Sequence, residues 1–117
     1  MSKSEGKANV VKPPVQGSVY LDLATAEWQP DGDKFWVKPI YDDPVRGERP
    51  LLMKIDAGAR YPLHAHEETE QIYVLSGSFS DQDRTMKAGD YCCRAPGAMH
   101  STDSDEGAVV LLVYSRA

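Results

Sequence analysis

The sequence contains only three histidines, and each falls where it could share one ion with the others. His64 and His66 stand two apart in the stretch GARYPLHAHEETEQIYVLSG, residues 58–77. Glu70 follows four residues after His66, and His100 lies further on. On an extended strand successive side chains point to opposite faces, so His64 and His66 project from one face. Glu70, entering a second strand after the turn Glu67-Glu68-Thr69, can close on the same point. Imidazole nitrogens with one carboxylate oxygen suit iron, manganese, nickel, zinc or copper better than calcium or magnesium, which take oxygen ligands. A histidine pair alone is more often a surface or hydrogen-bonded feature. The accompanying carboxylate, flanking glycines and third histidine turn this one into a metal motif.

The elements that must position these residues read as strands. Extended segments are expected at residues 18–23, 34–41, 51–55, on either side of the turn at 67–69, and at 85–86, 90–94 and 108–114. One helical turn fits residues 24–28, stopped by Pro30. Between the strands lie turn signals, among them Asp31-Gly32-Asp33, Ala57-Gly58, Ser76-Gly77 and Pro96-Gly97. Short strands at even spacing, without a sustained 3.6-residue apolar pattern, predict an all-β sandwich or barrel. Strand parity sorts the faces: with Glu70 inward, Ile72 and Val74 follow it, and Leu51, Met53 and Ile55 form the more apolar set of their strand. Residues 109–113 are apolar at every position, which predicts a strand covered on both faces, by the core and by a second subunit. A homodimer is expected. The organisation is an N-terminal arm over residues 1–17 and one β-barrel domain over 18–117.

Composition excludes several partners. A formal charge of -5 and a pI near 5.1, with no basic cluster, disfavour nucleic acid and anionic membranes. No apolar stretch approaches the roughly 20 residues of a membrane-spanning helix. The first residues lack the apolar segment of a secretion signal, so a cytoplasmic location is expected. Cys92 and Cys93 are adjacent and on a strand face opposite ways, which suits a buried small residue beside a partly exposed one better than a disulfide. The alternative is an oxidant-responsive thiol near the metal.

The spacing Gly58, five residues, His64, one, His66, three, Glu70, six, Gly77 resembles the first cupin motif at every defined position. Gly89, Gly97 and His100 resemble the second. Ala95 stands where that motif usually has proline, which comes one place later as Pro96, and Ser104 replaces a frequent asparagine. Residues 51–112 are similar to the cupin domain of ChrR-type anti-sigma factors and to the small single-cupin dioxygenases related to 2,4'-dihydroxyacetophenone dioxygenase.

The resemblance implies a double-stranded β-helix, the cupin jelly roll. It implies one divalent transition metal held by His64, His66, Glu70 and His100 with two positions open. Iron(II) is preferred, and zinc, manganese or nickel are alternatives. The activity implied is dioxygenation of a small ketone or diketone; the alternatives are a ligand or redox sensor module without catalysis, or a cupin isomerase. The anti-sigma factors carry an additional N-terminal zinc-binding helical domain, and the residues ahead of the motifs here contain no cysteine or histidine to form one. Near the ligands, Arg94 is a candidate to steady a substrate oxygen and Tyr61 to line the mouth, with Trp36 beside it. Met99 is close in sequence to His100, and Glu67 and Glu68 are turn residues first.

Overall fold

The computed structural model describes residues 17–117, so the expected arm lies outside the described residues except for Gly17. The strands are β1 (Gln29–Pro30), β2 (Phe35–Pro39), β3 (Glu48–Ile55), β4 (Ala59–His64), β5 (Thr69–Ser80), β6 (Thr85–Lys87), β7 (Tyr91–Arg94), β8 (His100–Ser104) and β9 (Ala108–Ser115). There is no helix among the described residues. All the strand pairings are antiparallel, in the order β1-β2-β3-β9-β5-β8-β4, with β6 and β7 also on β5. The fold is the all-β jelly roll that the motifs imply. β5 joins its two layers: the first part pairs with β9 and β7, and the last residues pair with β6 and, at Ser80, with β8.

Alternation fills the interior. Along β9, Ala108, Val110, Leu112 and Tyr114 are buried, while Val109, Leu111 and Val113 between them are half-buried. Burying a side chain such as Val110 or Leu112 contributes about 1.5–3 kcal/mol. On β3, Leu51 and Ile55 are buried and Met53 packs against the core, and on β5 Ile72 and Val74 point inward, as parity requires.

Four elements differ from the sequence expectation. Residues 18–23 form no strand; side chains fasten this segment instead of a ladder. Lys38 Nζ donates to Leu23 O at 2.7 Å and lies 4.6 Å from the centre of the Trp28 ring. The expected helical turn at 24–28 is a tighter turn, in which Asp22 Oδ1 accepts the Ala24 N–H at 3.1 Å. Ser76-Gly77 is not a turn. Strand β5 runs through it, just after a register shift against β9 between Val74 and Ser76, and a Cβ on Gly77 (φ +73°) would clash with the Gly107 carbonyl oxygen. Finally, β8 is a strand that the sequence pattern does not predict, because HSTDS has no apolar alternation.

Candidate metal centre

β4 and β8 carry the first two candidate ligands, His64 and His100. Tyr61 lies opposite Thr102 and His64 opposite His100, so three steps on β4 match two on β8, and the register shifts between them. Such a bulge re-aims side chains. Without it Tyr61 and His64, an odd number apart, would face opposite ways; with it both line the same cavity.

The histidine spacing alone implied that His66 shares this strand with His64, but β4 ends at His64. His66 lies beyond the end of β4, held by Gly97, whose N–H donates to His66 O at 2.7 Å, and by the Tyr114 ring, 5.2 Å away between centroids. Nor do β4 and β5 form a hairpin. Glu70 sits on β5 opposite Tyr114 of β9 and Arg94 of β7, in the other layer from His64. The connection between them, residues 65–68, passes from one layer to the other.

The three imidazoles converge. Their ligand nitrogens all lie within 4.8 Å of one another, and the His64 and His100 ring centroids are 4.2 Å apart. Glu70 stands beside the cluster, with Oε1 3.6 Å from His100 Nε2 and Oε2 4.0 Å from His66 Nε2. His64 Nδ1 is 3.0 Å from Pro62 O and His100 Nδ1 is 3.5 Å from Ala98 O. A carbonyl only accepts, so each Nδ1 carries a proton, and in the neutral ring that leaves Nε2 as the nitrogen with a lone pair for a metal. Burial is the main reason the His100 pKa is lowered from its ordinary value, with Arg94 and His64 acting the same way against the opposing pull of Glu70. A neutral imidazole is the form that ligates.

The acidic side of the site is locked. The Glu70, Asp81 and Arg94 side chains are 5%, 5% and 10% exposed. Arg94 Nη1 donates to Asp81 Oδ2 at 3.1 Å, and Arg94 Nε is 3.3 Å from Glu70 Oε1. The second contact is off line, and among the described residues neither Glu70 Oε1 nor Arg94 Nε has a hydrogen-bond partner. A buried polar atom without a partner costs about 1–3 kcal/mol. An orphaned carboxylate oxygen beside three imidazole nitrogens is what a divalent transition ion would satisfy, so the residues fit the group the motifs imply. Across from Glu70, burial first and the Glu70 carboxylate second push the Tyr114 phenol far above its usual range, so it keeps its proton.

These groups form the polar part of a cavity of about 350 Å³. The rest of its wall is apolar, with Phe35, Met53, Ile55, Ile72, Phe79 and Leu112. Tyr61 is half exposed, edge-on to His64 at 4.7 Å and to Phe35 at 6.0 Å. Arg94 also lines the cavity, and its burial differs from the solvated role common at a strand end. Trp36 does not line the mouth: it donates to Asp56 Oδ2 at 2.8 Å beside Lys54. Glu68 pairs with Arg49 at 2.8 Å, Glu67 is exposed, and Met99 is exposed. Cys92 is half-buried against the core, where burial raises its thiol pKa, and Cys93 is exposed. Sequence reasoning did not single out Tyr114 or Asp81. Parity would have found Tyr114, two residues after the inward Leu112; Asp81 left no signal beyond its turn.

Over residues 16–117 the sequence matches the family described as the ChrR cupin-like domain. The chain belongs to that family. Among solved structures, this ChrR-like cupin is similar to an RmlC-like cupin protein of Ralstonia eutropha JMP134, with 26% identity and a TM-score of 0.76 over 86% of this chain and 69% of that one. The anti-sigma ChrR complex with SigE of Rhodobacter sphaeroides matches at 21% identity and a TM-score of 0.69, covering 80% of this chain and 52% of that one. An acetylacetone dioxygenase of Acinetobacter johnsonii matches at 13% identity and a TM-score of 0.76, covering 90% and 78%. The last two likenesses concern the fold alone. A probable Xaa-Pro aminopeptidase PEPP of Uncinocarpus reesii is 51% identical over 45 residues, and the matched segment spans only 9% of that protein's length. No helix among the described residues is long and apolar enough to cross a membrane.

Proposed function

We propose that this ChrR-like cupin is a mononuclear metal-dependent dioxygenase acting on a small ketone or diketone, with iron(II) as its ion and His64, His66, His100 and Glu70 as ligands. The observation that carries the reading is Glu70 Oε1, buried and unpartnered beside three imidazoles at one side of an otherwise apolar cavity. A closed structural ion needs no such cavity, whereas a catalytic one keeps open positions facing it. When bound, iron(II) supplies the redox chemistry toward dioxygen. Dioxygen is the oxidant: the carbon–carbon bond beside the ketone breaks, both oxygen atoms end in the products, and no external reductant is consumed.

The chain's own residues do the rest. The apolar wall excludes water and receives the body of the ketone. In this reading Arg94 and the protonated Tyr114 phenol offer donors to a substrate oxygen, and Tyr61 lines the mouth. The partner is then a small molecule. The outward Val109, Leu111 and Val113, half-buried in the single chain, support a second copy as a further partner; a monomer in sedimentation would remove it. The test of activity is oxygen uptake by iron(II)-loaded protein with β-diketones and hydroxyaryl ketones. Turnover is expected with at least one, and none with any would sink the reading.

A second reading, a ligand or redox sensor module without catalysis, draws support from the family match and from the fold shared with anti-sigma ChrR. Binding of a sigma factor to the metal-loaded protein, without oxygen uptake, would favour it.

A further inference from the structure

We propose that the turn joining β5 to β6 positions the metal centre from outside, with Gln82 as the positioning residue for His100 and Asp81, through Arg94, for Glu70. The proposal rests on the reading of these side chains as metal ligands. Among the described residues, β8 has β4 along one edge, and along its other edge the strand pairing with β5 is at Ser80, which pairs with Asp103. At His100 no described strand covers that edge. Gln82 fills the gap: its Nε2 donates to Met99 O at 3.0 Å and its Oε1 accepts the Ser101 N–H at 3.1 Å. One primary amide thus acts as a strand partner to the two backbone groups flanking His100 and fixes the start of β8. Gln82 Nε2 also lies 3.3 Å from Asp83 Oδ2.

The neighbouring residue acts on the other layer. Asp81 Oδ1 accepts the N–H groups of Asp83 and Arg84 at 2.8 and 2.9 Å, which makes the turn rigid. Its Oδ2 takes Arg94 Nη1 at 3.1 Å, and Arg94 reaches Glu70. Two adjacent side chains of one turn therefore hold groups on strands from both layers, with Glu70 and His100 only 3.6 Å apart between them. A rigid support of this kind, outside the ligands themselves, sets how closely ligands can close on an ion.

The test titrates cobalt(II) into metal-free full-length protein and reads its d–d absorption and affinity in wild type, Gln82→Ala, Gln82→Glu and Arg84→Ala. Gln82→Ala is expected to weaken cobalt binding by about 10-fold or more and to change the d–d bands, within the range typical of lost supporting hydrogen bonds. Gln82→Glu, which keeps the acceptor for Ser101 but loses the donor to Met99, is expected to fall between. Arg84→Ala is expected to match wild type. If Gln82→Ala does not fold, Gln82→Glu carries the same comparison. Wild-type affinity and spectrum in both Gln82 variants would overturn the proposal while leaving the metal site standing; no cobalt uptake by wild type would remove both.

Discussion

His64 and His100 are direct cross-strand partners, with ring centroids 4.2 Å apart, although they lie on strands distant in sequence. Neighbours on one face of an antiparallel pair are rigidly spaced, so this pair is the fixed edge of the site, and His66, on the connection, is held to it by Gly97 and the Tyr114 ring. Replacing both His64 and His66 by alanine is expected to abolish stoichiometric metal binding, and His100→Ala to leave less than one equivalent after dialysis. Elemental analysis checks this. A full equivalent retained by the double variant would mean that the ion binds elsewhere.

Arg94 lies between two carboxylates that are both nearly inaccessible. Arg94→Leu leaves them as uncompensated buried charge, for which the expected cost is about 3–5 kcal/mol. A divalent ion restores positive charge next to Glu70, so the loss is expected to shrink when the protein is loaded with zinc. Urea unfolding with and without zinc measures both. Equal losses in the two states would show that Glu70 does not feel the ion.

What the sequence disclosed was local. His64, His66 and Glu70 announced themselves because ligand types at short spacing are visible without knowing the fold, and the inward set Leu51, Met53, Ile55, Ile72 and Val74 followed from parity. What it hid depends on pairing. The polar β8 is a strand because β4 and Gln82 satisfy its backbone, not because of its own pattern. Arg94 has the position of a solvated strand end, and only the folded chain brings Asp81 to it. Gly77 advertised the freedom of a turn, but the fold uses that freedom for close approach inside a strand.

The lowered pKa of His100 makes metal-free stability depend on acidity. The group's ordinary value is 6.5, and the folded value lies below it, mainly through burial. In that window the unfolded chain binds more protons, so stability rises with pH. The contribution is fully present above 6.5 and is lost as pH falls through the folded value. Asp81 adds a second loss at lower pH. Burial alone would raise its pKa, but the Arg84 and Asp83 N–H groups and Arg94 outweigh burial and hold it below 3.8. Urea midpoints of metal-free protein are expected to fall between pH 7.5 and 5, with a further fall below pH 4. His100→Gln is expected to flatten the first step, and an unchanged midpoint across it in wild type would contradict the burial argument.

Gly77 and Gly58 separate backbone strain from steric exclusion. Both have positive φ, +73° and +86°, which a residue with a Cβ tolerates at a cost of about 1–3 kcal/mol. At Gly58 an added Cβ meets nothing within 4 Å. At Gly77 it would clash with the Gly107 oxygen and lie 2.8 Å from the Ala108 Cα, backbone atoms at the entry to β9 that cannot rotate away. Gly77→Ala is therefore expected to destabilise more than Gly58→Ala, because β9 must shift with it. The shift would move Tyr114, whose ring packs on His66, so Gly77→Ala is also expected to weaken metal binding while Gly58→Ala leaves it near wild type. Thermal unfolding and cobalt titration of the two variants provide the comparison. Equal destabilisation by both substitutions would mean that backbone conformation, not the close approach of β5 to β9, governs this position.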